Sequence, residues 1–164
     1  MKVILPALRE GVYAGVGLSL LVAVYLLWLW QPERQVLRHS ETLIRAVEQR
    51  NFTRAESLMA PEFRDQWGDD RVQVVQRMRE VFRYLRDIRL SATDVSVRNF
   101  DRGGVWSARI IFDAEPNEVT TEIQRRVNSL STPFELEWRR VSGRPWDWKL
   151  VSVANSTLDI PADF

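Results

Sequence analysis

Between Gly11 and Trp30 the chain carries no charged side chain, and the apolar run stops at Gln31-Pro32. As a helix rising about 1.5 Å per residue, such a run is roughly 30 Å long, the thickness of a bilayer's hydrocarbon core. It divides the sequence into a tail over residues 1–10, a transmembrane helix over 11–30 and one soluble domain over 31–164. A cleaved signal peptide would be shorter and would end in a small-x-small site. Here the run closes on Tyr25, Leu26, Leu27, Trp28, Leu29 and Trp30, which offer a peptidase no small pair. A core helix of a globular domain would keep a polar face, and this one is apolar all round. Tyr13 at one end and Tyr25, Trp28 and Trp30 at the other suit the headgroup layer, where an aromatic ring keeps one wet edge. The expected arrangement is an uncleaved, single-pass anchor in a lipid bilayer.

Charge gives a divided view of orientation. Lys2 and Arg9 lie on the short side, with Glu10 opposing, while Arg34, Arg38, Arg45 and Arg50 follow the run. A bare count of basic residues favours a cytoplasmic domain. Charges inside a folded domain weigh less than those in a short tail, however, which favours the domain outside the cytoplasm. Cysteine is absent from the 164 residues, which removes disulfides and thiolate metal sites and leaves the compartment open.

The whole chain has 23 basic and 22 acidic residues. Setting aside Lys2, Arg9 and Glu10 leaves a neutral domain, which argues against nucleic acid as a partner. A segment of this length supports one core.

Its first half has helical spacing. Val36, Leu37, Leu43, Ile44 and Val47, with Ser40 between them, share one face of a helix over Glu33–Arg50 that stops near Asn51. Thr53 and Glu56 have the spacing of a capping box for a short helix ending before Pro61. Phe63 and Trp67 follow as anchors. A third helix is expected from Asp70 to Arg89, with Val74, Val75, Met78, Val81, Phe82, Leu85 and Ile88 as its stripe and Asp69 and Asp70 at its positive end. The second half changes period. Thr93–Phe100 and Val105–Ala114 alternate about the turn Asp101-Arg-Gly-Gly104, with Trp106, Ala108, Ile110 and Phe112 inward. A second hairpin sets Phe134, Leu136 and Trp138 against Trp146, Trp148 and Leu150, then Val151 and Val153, across Ser142-Gly-Arg-Pro145. Residues 117–130 fit either a helix, through Val119, Ile123, Val127 and Leu130, or a strand, through Thr120 and Thr121; the helix is preferred.

Helices followed by antiparallel hairpins with one apolar face make an α+β layer of about three helices on a curved sheet. The segments Ala46–Phe63 (AVEQRNFTRAESLMAPEF) and Trp146–Val153 (WDWKLVSV) resemble the nuclear transport factor 2-like, or SnoaL-like, superfamily, and the likeness runs over about residues 33–156. That resemblance implies a cone-shaped domain with a pocket at its open end, homodimers through the sheet face, and roles divided between small-ligand enzymes and protein-interaction modules. It also implies that membrane-tethered versions serve bacterial secretion assemblies.

Catalytic groups are scarce. His39 is the single histidine, and no partner or substrate site can be named for it; with no cysteine, the usual zinc and haem sites are excluded and no cofactor is expected. Asp69 and Asp70 read as helix-start charges, and Glu135 and Glu137 as a solvated strand face. Asp94, Asp113 and Tyr84 reach a pocket only if the facing of the strands is reversed. Trp106, Trp138, Trp146 and Trp148 read as core, or, with Tyr84, as a pocket or partner surface. Arg79, Arg83 and Arg86 stand at helical spacing and offer a surface for anionic lipid or an acidic partner. The expected function is a membrane-anchored, non-enzymatic binding or assembly module of an envelope complex; the alternatives are a pocket enzyme of isomerase or hydrolase type and an anionic-lipid sensor.

Overall fold

The computed structural model describes residues 5–158, with the side chains of residues 5–12 and 14 outside that description. Helix α1 (Leu5–Leu29) takes in part of the expected tail and ends one residue before Trp30. Proline ends it. Pro32 has no N–H and crowds the residue before it out of the helical region, so Gln31 is extended at φ −56°, ψ 135°. The chain then restarts as α2 (Pro32–Glu48), with Pro32 in the first turn. Among the described residues no single helix is long and apolar enough to cross a membrane. Gly15–Leu29 and Pro32–Glu48 reach that length and composition only together, across a 67° bend. The expected straight span over 11–30 is therefore not found as drawn; Trp30 belongs to the elbow.

Helices α3 (Phe52–Leu58) and α4 (Arg71–Val81) follow. Their starts differ from expectation. Asn51 caps α3 by accepting from Arg54 N at 3.0 Å, which places Thr53 already inside the first turn. The capping box belongs instead to α4, where Asp70 accepts from Gln73 N and the Gln73 side chain accepts from Asp70 N. Glu56 turns outward and lies 3.8 Å from Arg71. Helix α4 is also shorter than its apolar stripe. Phe82 caps it, packing edge-on against Phe52 with ring centroids 5.4 Å apart. The Leu85 carbonyl accepts from the Arg50 guanidinium, and Asp87 adopts φ 47°, so residues 82–88 fold back rather than continue the helix.

Four strands form one antiparallel sheet in the order β1 (Arg89–Phe100), β2 (Gly103–Asp113), β3 (Phe134–Arg140) and β4 (Trp148–Ala154). The β1–β2 turn is the pair Asp101-Arg102, with Arg102 at φ 57° and Phe100 opposite Gly103, so both glycines already belong to β2. Gly104 is there for space: a Cβ would lie 2.9 Å from Val36 Cγ2, because α2 packs directly on that point of the sheet. Helix α5 (Glu118–Asn128) fills the ambiguous stretch between β2 and β3, capped by Asn117. Its Asn128 side chain receives Phe112 N at 2.8 Å and donates to Phe112 O at 3.0 Å, satisfying β2 beyond its pairing with β3.

Both sheet edges are managed. Residues 59–66 run beside β4, with Ala60 N, Arg64 N and Gln66 N donating to the carbonyls of Leu150, Val151 and Val153. Strand β1 carries a bulge between Thr93 and Ser96, with Asp94 at φ 54°. Asn155, buried at the end of β4, donates to the Thr132 and Pro133 carbonyls and exchanges backbone bonds with the Gln66 amide. Helices α2 and α3 cover one face of the sheet, and the main core lies between them; a smaller cluster joins Leu85, Ile88, Phe112 and Ala114 under α5.

Candidate functional site

The place to look for chemistry in a helix-on-curved-sheet domain is the concave interior. Alternation along β2 and β3 points Trp106 and Trp138 into it, and both are fully enclosed, at 1 % and 0 % exposure. Trp148, Leu136, Leu150 and Phe63 complete the filling. The Trp138 indole donates to Ser40 Oγ at 2.9 Å, which explains the small residue on the α2 stripe. Trp148 donates to the Pro145 carbonyl at 2.8 Å, while Trp106 Nε1 is buried with no partner among the described residues. Three of the four sheet tryptophans are thus core, as the inward pattern implied. The fourth differs. Trp146 precedes β4 and is 53 % exposed, and Tyr84, in the fold-back after α4, is exposed as well.

His39 stands at the edge of this interior. Its Nδ1 lies 2.8 Å from the Gln35 carbonyl, which can only accept, so the proton sits on Nδ1. The ring centroid is 5.6 Å from that of Trp138. Burial pushes the imidazole below its ordinary pKa, and Arg38, Arg54 and Lys149 push the same way against the raising effect of the Gln35 bond. The result is a neutral histidine at pH 7. Asp65 is shifted the opposite way, raised by burial with the Asp69 carboxylate adding to it, while Trp67 N and Asp69 N donate to its Oδ1. That carboxylate organises the loop before α4, and Asp69 itself pairs with Arg77 at 3.1 Å.

The remaining candidates do not converge. Asp94 and Asp113 are exposed at the bulge and at the end of β2, so the facing derived from alternation holds. Glu135 is exposed, and Glu137 lies 2.9 Å from Arg139. Arg79, Arg83 and Arg86 are all exposed, but only Arg79 lies on α4; the other two follow its end at Val81, so the helical stripe is corrected to a helix residue and two fold-back residues. Among the described residues no group of three or more His, Asp and Glu could hold a metal ion.

Sequence reasoning missed the elbow. Gln35 reaches back to donate from Nε2 to the Leu29 carbonyl at 2.8 Å, satisfying an orphan acceptor at the end of α1. Arg34 places its Cζ 3.3 Å from the centroid of the Trp28 ring, and its Nε is buried without a hydrogen bond. Beside it lies an open cavity of about 320 Å³ between the start of α2 (Gln31, Glu33, Arg34, Leu37) and the bulged edge of β1 (Val95, Ser96, Val97). A smaller cavity of about 20 Å³ under α5, beside Asn128 and Phe134, is of the size of one water. Neither touches His39. The one sequence signal for the elbow was Gln31-Pro32 itself.

No protein-family profile and no curated protein matches the chain. Solved structures do match, at identities that speak for the fold alone. A dehydratase assignment within the nuclear transport factor 2-like family, from Streptomyces avermitilis, aligns with a TM-score of 0.52 and 17% identity over 74% of this chain and 91% of its own. The CaMKII hub of S. rosetta aligns at 0.51 and 15% identity, over 75% of this chain and 94% of the hub. Bd1075 of Bdellovibrio bacteriovorus aligns at 0.56 and 10% identity, and this chain spans only 40% of its length. The domain after the elbow has the nuclear transport factor 2-like α+β fold.

Proposed function

We propose that this chain is a membrane-tethered, non-catalytic binding module of the nuclear transport factor 2-like superfamily that works within a protein assembly, with its domain outside the cytoplasm. The observation that carries the reading is the filled interior: Trp106 and Trp138 are fully enclosed between the helices and the sheet. What remains for recognition is the outer surface and the open cavity between α2 and β1. The tether is supported by α1, whose Leu18, Leu20, Leu21, Val24 and Leu27 are all exposed and touch no part of the domain that would cover them. Apolar surface on every side of a helix is unfavourable in water at about 25 cal/mol per Å² and is favourable in lipid. One fold neighbour bears the name of a hub and another that of a dehydratase, so the fold alone chooses neither role.

The test uses the full chain in bacterial membranes. It should remain in the pellet through an alkaline carbonate wash and, after gentle detergent extraction, migrate as a complex larger than the monomer. Release by carbonate ends the tether. A monomer whose melting temperature rises with a small carboxylic or aromatic ligand ends the assembly reading and restores the pocket enzyme. A reporter fused after Phe164 decides the side of the membrane.

A further inference from the structure

Strand register places two turns at the same end of the sheet. Gly103 pairs with Arg139 and Arg140 with Trp148, so the β1–β2 and β3–β4 turns lie side by side, tied by Arg140 N donating to the Arg102 carbonyl at 2.9 Å. This is also the end from which α1 leaves, because the Trp30 and Trp146 rings meet with centroids 5.8 Å apart. The two turns display Phe100, Val141 and Trp146 at 46 %, 47 % and 53 % exposure. An exposed indole at a random turn is poorly placed in water, yet this one is held in position. Val141 N donates to Asp147 O, Asp147 N to Arg144 O, and Arg144 N to Ser142 Oγ. Around these apolar groups stand the exposed Arg98, Arg102, Arg140 and Arg144, opposed by Asp101 and Asp147.

We propose that this end of the domain is a second membrane contact, in which Trp146, Val141 and Phe100 enter the headgroup layer and the surrounding arginines meet lipid phosphates. The proposal rests on α1 entering the bilayer. Given that, the Gln35–Leu29 bond at the elbow keeps the turns close to the point where α1 meets the surface. Aromatic rings with a polar edge partition to that layer, and guanidinium groups bind phosphate oxygens in pairs. The domain would then sit on the membrane in one orientation, leaving its far end, with the start of β1 and α5, free for other contacts.

The chain has no cysteine, so single cysteines report without background. Gly143→Cys at the β3–β4 turn, where an added Cβ meets nothing within 4 Å, Gln49→Cys beyond the far end of α2 and Leu21→Cys in α1 are each labelled with bimane. The full chain is reconstituted in vesicles of phosphatidylcholine and phosphatidylglycerol containing spin-labelled lipid. Strong quenching at position 21, and severalfold more at 143 than at 49, is the expected result. Quenching at 21 with 143 no different from 49 overturns the footing and leaves the anchor intact. No quenching at 21 overturns the anchor and the footing together. In the Gly143→Cys background, Trp146→Ser should reduce quenching at 143 without lowering the melting temperature; undiminished quenching removes Trp146 from the contact.

Discussion

His39 shows how a single residue can carry a pH response without being catalytic. Held neutral in the fold by burial and by its basic neighbours, it has a pKa below its ordinary 6.5, so between those two values the unfolded chain binds the extra proton and the folded chain does not. Its contribution to stability is therefore full above about pH 6.5 and declines as pH falls through that value towards the depressed one, by at most about 1.4 kcal/mol per pH unit for one proton. Asp65 has the opposite sign: burial raises its pKa in the fold, so its protonation as pH falls favours the folded chain. Melting curves of the full chain between pH 7.5 and 5.5 should show a falling midpoint, and His39→Gln should flatten the slope over that interval. An unchanged slope would mean that His39 titrates freely in the fold. The sequence around His39 offers only Gln35 and Arg38; the burial that dominates, with Trp138 beside the ring, and the charges of Arg54 and Lys149 come from other elements. By contrast, the inward places of Trp106, Ala108, Leu136 and Trp138 were legible, since strand alternation alone decides them.

At the scale of elements, legibility followed whether the deciding partner was local. Within residues 117–130 the preferred helix forms, its periodicity lying inside the segment, although Thr120 and Thr121 also suit a strand; Asn117 sets its start. Helix α4 was overextended because its apolar stripe continues past Val81; Leu85 and Ile88 are apolar for a different reason, their burial against Phe112 and Ala114. The Thr53–Glu56 spacing lost to Asn51 because the Asn51 side chain takes the Arg54 N–H and leaves the other motif inside the helix. The approach of α2 to the sheet is likewise a tertiary fact concentrated at one glycine. Gly104→Ala would push a methyl to 2.9 Å from Val36 Cγ2, and Val36 is fully buried with a β-branched side chain that has little rotameric freedom. The expected cost is about 1–3 kcal/mol in chemical denaturation. Gly143, with nothing within 4 Å of its added Cβ, is the control, and Gly143→Ala should stay within about 0.5 kcal/mol of the parent. Equal stability for the two variants would show that α2 and β2 are not packed this closely.

For the whole molecule, the apolar run that dominates the sequence and the domain that dominates the structure are joined by a short, bonded elbow, and the consequences reach the opposite end. The main core unites α2 and α3 with β2, β3 and β4 through Trp106, Trp138, Leu136 and Leu150. The smaller cluster under α5 shares no buried residue with it. Local opening free energies track such differences, since a segment with few buried apolar contacts can detach while the rest stays folded. Hydrogen exchange of the full chain should therefore divide in two. Amides of β3, β4 and the buried face of α2 exchange through the slowest openings, whereas α5 and residues 82–88 exchange earlier and together. Ile123→Ala, which thins the packing on the smaller cluster, should speed exchange in α5 and residues 82–88 and leave β3 and β4 unchanged. If protection falls equally everywhere, the two clusters form one cooperative unit, and the end of the domain away from α1 is as rigid as the end beside it.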